Sequence, residues 1–180
     1  MLYHLTVLVA AAVGSIWGFR RGLARQAPSV TGMAFGIIST RILAPGLYGV
    51  LYGAFPSVHG HVEEQFVYDT LSTSIVFLSV YMVFSTITGF LGKALRRDDR
   101  SILDNLGGGV YGLFRYLMFV SIAYNFLLAL NPGSILLKSA RSDDGNVVEE
   151  VMQLSPAVLG GEDVTELFHR VQLEEAKKIS

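Results

Sequence analysis

A chain of 180 residues that is 51% hydrophobic and only 16% charged, with a mean hydropathy of +0.46, lies on the membrane side of ordinary globular composition. A net charge of −1 and a pI near 6.4 give no footing for nucleic acid as a partner. The absence of cysteine excludes disulfides, thiolate nucleophiles and cysteine-ligated zinc, and the 19 glycines follow no Gly-X-Y period but gather in the apolar segments.

The first apolar run, Leu2 to Phe19, holds His4 as its only side chain that charges near neutral pH, and its positive charge follows at Arg20, Arg21 and Arg25. A secretory signal has the reverse polarity, so the run reads as an uncleaved span over 2–19 with its N-terminus outside. Gly14, Gly18 and Gly22 fall four apart, a small-xxx-small spacing that puts bare backbone along one helix face. A second span is predicted over 27–44, with Pro28 just inside its start, Gly32 and Gly36 repeating the four-residue spacing, and Arg41 snorkelling at the far interface. Pro45 is expected to end it, leaving Gly46 to Phe55, with Tyr48 and Tyr52, as a short outer interfacial segment.

The polar stretch Pro56 to Asp69 forms the first outer loop. His59, His61, Glu63 and Glu64 in it carry the donor types that hold a divalent cation, but a His-x-His pair is a weak signal. An ordinary polar loop, with no metal and no cofactor, is the preferred reading. The uncharged run 70–92 is a third span, dotted with Ser72, Thr73, Ser74, Ser79, Ser85, Thr86 and Thr88. Those hydroxyls either bond helix carbonyls and neighbouring helices or line a polar pathway, the first being preferred. Its ending GFLGKALRR echoes GFRRGLAR at the end of the first run, consistent with two hairpins, each closed by a basic inner loop.

Lys93, Arg96, Arg97 and Arg100 make the second basic loop, and the fourth span, 108–130, opens on Gly107, Gly108, Gly109 and Gly112. Arg115 is the lone charge from Val110 to Leu130, either a buried functional group or a side chain reaching back to the interface. Asn131, Pro132 and Gly133 stop this helix and divide a membrane domain, 1–131, from an extramembrane tail, 132–180. In the tail Asn146 and Glu149 resemble a capping box, and Pro156 is expected to end the helix they begin. Val164, Leu167, Phe168 and Val171 form an amphipathic stripe that lies on the bilayer, on the bundle or on a partner.

The two basic loops carry Arg20, Arg21, Arg25, Lys93, Arg96, Arg97 and Arg100, seven positive charges against three (Arg41, Lys138, Arg141) on the other side. That bias puts the loops in the cytoplasm and both chain ends outside. The expectation is an all-α polytopic membrane protein, with four transmembrane helices in two hairpins, a short outer interfacial segment and a helical C-terminal tail.

GFRRGLARQ before a glycine-spaced helix, and LDNLGGGVYGLFRYL later, resemble the colicin V production protein (CvpA) family of bacterial inner-membrane proteins over roughly residues 1 to 140. The likeness is carried by Gly18 to Gly22, by Asp104 opening the final helix, and by Gly108, Gly112 and Arg115; Asn105, Tyr116 and His4 depart from the family's pattern. The resemblance implies a protein of the bacterial inner membrane linked to colicin or toxin production and export and to envelope homeostasis; in that membrane the outer side, to which the charge bias assigns both ends of a multi-pass chain, is the periplasm. The chain carries no HExxH, GxSxG or Walker A pattern, so an enzyme is not expected. A membrane scaffold or accessory that meets the lipid bilayer, other envelope or secretion proteins and copies of itself is the first reading, and a subunit of an oligomeric channel or transporter the alternative.

Overall fold

The computed structural model describes residues 2–55, 64–94, 101–130 and 147–161, together with residues 165, 167, 170 and 173. All described regular structure is helical: α1 (Leu2–Arg21), a 3-10 turn (Ala24–Gln26), α2 (Ala27–Ala54), α3 (Glu64–Ala94), α4 (Ile102–Leu130) and α5 (Val147–Leu159). Three helical stretches, Ala24–Ala54, Glu64–Leu91 and Ile102–Leu130, are long and apolar enough to cross a membrane. The protein is therefore a multi-pass membrane protein whose spans meet the lipid bilayer; α1 is not among those three stretches.

The helices pair in a nested order rather than as two successive hairpins. α2 and α3 pack as antiparallel neighbours, and α1 lies antiparallel along α4. Bare faces dictate the pairing. Gly14 and Gly18 meet Gly112 and Gly108, whereas Gly32 and Gly36 receive Ser85, Tyr81 and Phe77 from α3. Each glycine stripe was legible in the sequence, but a stripe names a face and not the helix that fills it.

Two prolines expected to stop helices lie inside them. α2 runs through Pro45 to Ala54, so the separate outer interfacial segment is replaced by the last turns of one helix, and α5 runs through Pro156 to Leu159. A proline removes one ladder bond; in α2 unwinding would expose many backbone groups within the bilayer, and in α5 donors from α4 take the place of the lost bond, so both helices survive. α3 and α4 also begin earlier than their predicted spans, at Glu64 and Ile102. Phe66, Val67 and Tyr68 are buried, and this burial carries the helix through a stretch whose carboxylates read as loop.

α5 sits at the end of the bundle formed by the start of α1, the start of α3 and the close of α4, and it touches all four long helices. Val148 and Met152 are wholly buried there beside Phe66, Tyr124 and Leu128, and Leu167 joins the same cluster. Of the three surfaces open to the tail, α5 takes its own bundle. The loop residues His59, His61 and Glu63, the basic residues Arg96, Arg97 and Arg100, the 131–146 connection with Lys138, Arg141 and Asn146, and stripe residues Val164, Phe168 and Val171 lie outside the described residues. Lys93 is in α3, but its side chain also lies outside them.

Candidate functional site

The basic end of the bundle is built on the closest helix contact among the described glycines. A side chain at Gly108 would bring its Cβ to 2.5 Å from the Gly18 carbonyl oxygen and 2.8 Å from Gly22 Cα, and one at Gly14 would meet the Gly112 oxygen at 2.7 Å. Only glycine permits backbones at that separation. Gly22 has φ +75°, so it also supplies the left-handed turn that ends α1, and its α-carbon faces the Asp104 carboxylate.

Asp104 cups the chain that leaves this turn. Its Oδ1 accepts the Ala24 N–H at 2.8 Å and its backbone oxygen accepts the Leu23 N–H at 2.9 Å. Ser101 caps α4 by accepting the Asp104 N–H on its hydroxyl at 3.1 Å, which fixes the aspartate at the first turn. Gln26 completes the junction: its side-chain amide donates to the carbonyls of Gly18 (3.2 Å), Gly22 (3.2 Å) and Gly108 (3.1 Å). The first two belong to the turn that closes α1, where the Gly18 carbonyl also accepts the Gly22 N–H at 3.0 Å, and the third belongs to α4. One buried amide thus ties both helices to the start of α2.

Beside this junction is a cleft of about 370 Å³ that brings together Arg21, Arg25 and Arg115 with Ser29, Tyr81 and Thr86. Arg115 is half-buried, its guanidinium carbon 5.9 Å from the ring centroids of both Tyr81 and Phe119. Ser29 shares hydrogen bonds with the Tyr81 and Tyr111 hydroxyls at 2.9 and 2.8 Å, tying α2, α3 and α4 behind it. Of the basic residues that signal topology, Arg21 and Arg25 line the cleft, whereas Arg20 is exposed beside it.

The model of the family described as Colicin V production protein matches residues 4–142. The chain belongs to that colicin V production family. No curated protein and no solved structure matched the chain. Within the matched part of this family member, Asp104, Gly108, Gly112 and Arg115 share α4, with the glycines turned to α1 and Arg115 lining the cleft.

The far end of this family member works by other means. Arg41, placed by sequence at an interface, donates to the Val158 carbonyl at 3.2 Å and so caps the last turn of α5. Because Pro156 has no N–H, the Met152 carbonyl four residues earlier loses its helical partner. Ser121 and Asn125 of α4 donate to it at 3.1 and 2.7 Å, and Ser121 accepts the Ser155 N–H at 2.8 Å. Four of the α3 hydroxyls follow the preferred reading, Ser72 and Thr73 bonding the Asp69 carbonyl and Ser85 and Thr88 reaching the Pro28 carbonyl of α2. Gln26, Ser121 and Asn125 were not singled out from the sequence. The available signals were a lone uncharged amide four residues after Gly22, and a proline whose freed carbonyl needs a donor.

Proposed function

We propose that the protein is a non-enzymatic membrane scaffold or accessory, acting in envelope homeostasis or in colicin or toxin production and export, with other envelope or secretion proteins as partners. The observation that carries this reading is the division of the bundle into a pinned basic end, with Asp104 and Gln26 holding the turn after α1, and a far end covered by α5. Such a body presents two dissimilar, fixed faces to partners on the two sides of a membrane. It crosses four times, as one membrane domain over 1–131 with an extramembrane tail over 132–180. α1 runs beside the spanning helix α4 from Tyr3, whose carbonyl accepts the Tyr124 hydroxyl, to Gly22 at Asp104. Twenty helical residues rise about 30 Å, the thickness of the hydrocarbon core, and Leu5, Leu8, Val9 and Ile16 turn outward from α1 as apolar surface.

Both ends belong on the outer, periplasmic side of the bacterial inner membrane, because the start of α1 and α5 share one end of the bundle while Arg20, Arg21 and Arg25 share the other. A reporter active only in the cytoplasm, fused after Ser180, should be silent, and strong activity would overturn the orientation. Crosslinking in native membranes followed by mass spectrometry should recover envelope or secretion proteins from the wild type; recovery of none would remove the scaffold reading.

A second reading, a subunit of a channel or transporter assembled from copies of this chain, is favoured by Gly46, Gly49 and Gly53, which lie exposed on α2 with nothing within 4 Å of an added Cβ. Conductance above an empty bilayer after reconstitution would select it.

A further inference from the structure

The arginine-lined cleft calls for a ligand on grounds independent of either reading of function. Three arginines from three elements line it, Arg21 from the end of α1, Arg25 from the 3-10 turn and Arg115 from α4, and no carboxylate lines it among the described residues. The nearby Asp104 is committed to the backbone at Ala24. Arg21 and Arg25 are exposed and Arg115 is half-buried, so the cleft is a positively charged surface open to an incoming anion.

Arg115 is also positioned in advance. Ring faces at 5.9 Å on Tyr81 and Phe119 attract its charge without consuming N–H donors, so its fork is available to a second partner. Among side chains, only guanidinium offers a planar array of donors matched to two oxygens of a phosphate. The exposed Thr86 hydroxyl supplies a further donor on the α3 wall. The rest of that wall differs in kind: Met82 is 66% exposed, an apolar surface directly beside the charge. A charged pocket edged by apolar surface, at the basic end of membrane-crossing helices, matches a group that is ionic at its head and apolar behind it.

We propose that this cleft binds a phosphate-bearing anion, delivered as the headgroup of an acidic phospholipid. Arg115 and Arg25 clasp the phosphate oxygens, Arg21 closes the outer side, and Met82 meets the glycerol and the first acyl carbons. Free phosphate shares the recognition chemistry but leaves the Met82 wall without a function.

The test is lipid retention by the purified full-length protein in detergent, read by native mass spectrometry with phosphatidylglycerol or phosphatidylcholine added at equal concentration. Wild type should keep phosphatidylglycerol in preference to phosphatidylcholine. Arg115→Gln and Arg25→Gln should each weaken that retention about ten-fold, whereas Arg20→Gln, which removes the same charge one residue from Arg21 but outside the cleft, should leave it unchanged. Should Arg115→Gln fail to fold, Arg25→Gln and Thr86→Val carry the test, because both side chains are exposed. Displacement of the lipid by millimolar inorganic phosphate would identify free phosphate as the ligand source, and resistance to it would identify the lipid. Equal retention of the two lipids, equal retention by all variants, or a loss in Arg20→Gln as large as that in the cleft variants would overturn the site.

Discussion

At its basic end α4 meets α1 through bare backbone, Gly108 against Gly18 and Gly112 against Gly14, whereas at its far end it meets α5 through Ser121 and Asn125, which reach the carbonyl released by Pro156. The first junction is steric, depends on what is missing from four side chains and has no alternative arrangement at the same separation. The second is polar and rests on donors that can find other acceptors. It is also incomplete, because Asn125 Oδ1 is buried without a hydrogen-bond partner. A buried acceptor in that state costs about 1–3 kcal/mol, which undocking of α5 would relieve. One helix is thus fixed at one end and held less tightly at the other, and α5 should exchange its amide hydrogens before the α1–α4 crossing does.

Breaking the steric junction should have the largest effect. Gly108→Leu or Gly112→Leu places a branched side chain where even a Cβ overlaps backbone, and rigid overpacking of this kind costs about 3 kcal/mol or more. Thermal unfolding in detergent should show a large loss of stability for both variants, with α1 separated from α4. Unchanged melting would mean that the crossing is not the fixed point of the bundle.

Gln26→Glu should come next, with a loss of about 1–3 kcal/mol, because it takes the donor away from three carbonyls and turns an acceptor toward them. Gln26→Leu, which removes the donor without adding an opposing charge, should lose less. If glutamate is tolerated as well as leucine, the amide is not what ties α1, α2 and α4 together.

The polar junction can be rewired rather than broken. Asn125→Ala should weaken α5 docking by about 1 kcal/mol, seen as faster protease cleavage at the tail. Pro156→Ala restores an N–H that can bond Met152 within α5, so the same Asn125→Ala change should cost less in that background. Equal costs in the two backgrounds would show that the freed carbonyl is not what recruits α4.

The contrast between the two ends also explains what the sequence made visible. Glycine spacing is a local pattern, so the faces of α1, α2 and α4 could be read from it, along with the basic residues that gather at one end. The partner of each face depends on which helices lie side by side, and no residue in α1 says that α4 rather than α2 will fill it. Pro45 was misread because a proline rule drawn from helices in water omits the cost of unwinding within a bilayer, and Pro156 because the donors that replace its bond, Ser121 and Asn125, lie on another helix. Arg115 was conspicuous as a lone charge, but its two readings differ only in its neighbours, and Tyr81 belongs to another helix. Gln26 stood unremarked because its function lies in three backbone carbonyls, which have no signature in sequence.

The smallest effect on the isolated chain should come from Gly49→Leu, and its smallness gives it use. Gly14, Gly18, Gly108 and Gly112 are each pressed against another backbone, whereas Gly49 is exposed between Gly46 and Gly53 with nothing within 4 Å of an added Cβ. If close packing inside one chain were the only reason for glycine in these helices, leucine at position 49 would be neutral or slightly stabilising, since glycine is the poorer helix former by about 1 kcal/mol. Melting of the monomer in detergent should therefore be unchanged or raised by a few tenths of a kcal/mol. In the membrane the same substitution separates two cases. Where copies of the chain meet through this face, leucine holds their backbones apart, and crosslinked oligomers should fall while monomer stability does not. Where the face meets lipid, crosslinking should be as indifferent as melting, and the channel assembled from copies loses the feature that favours it.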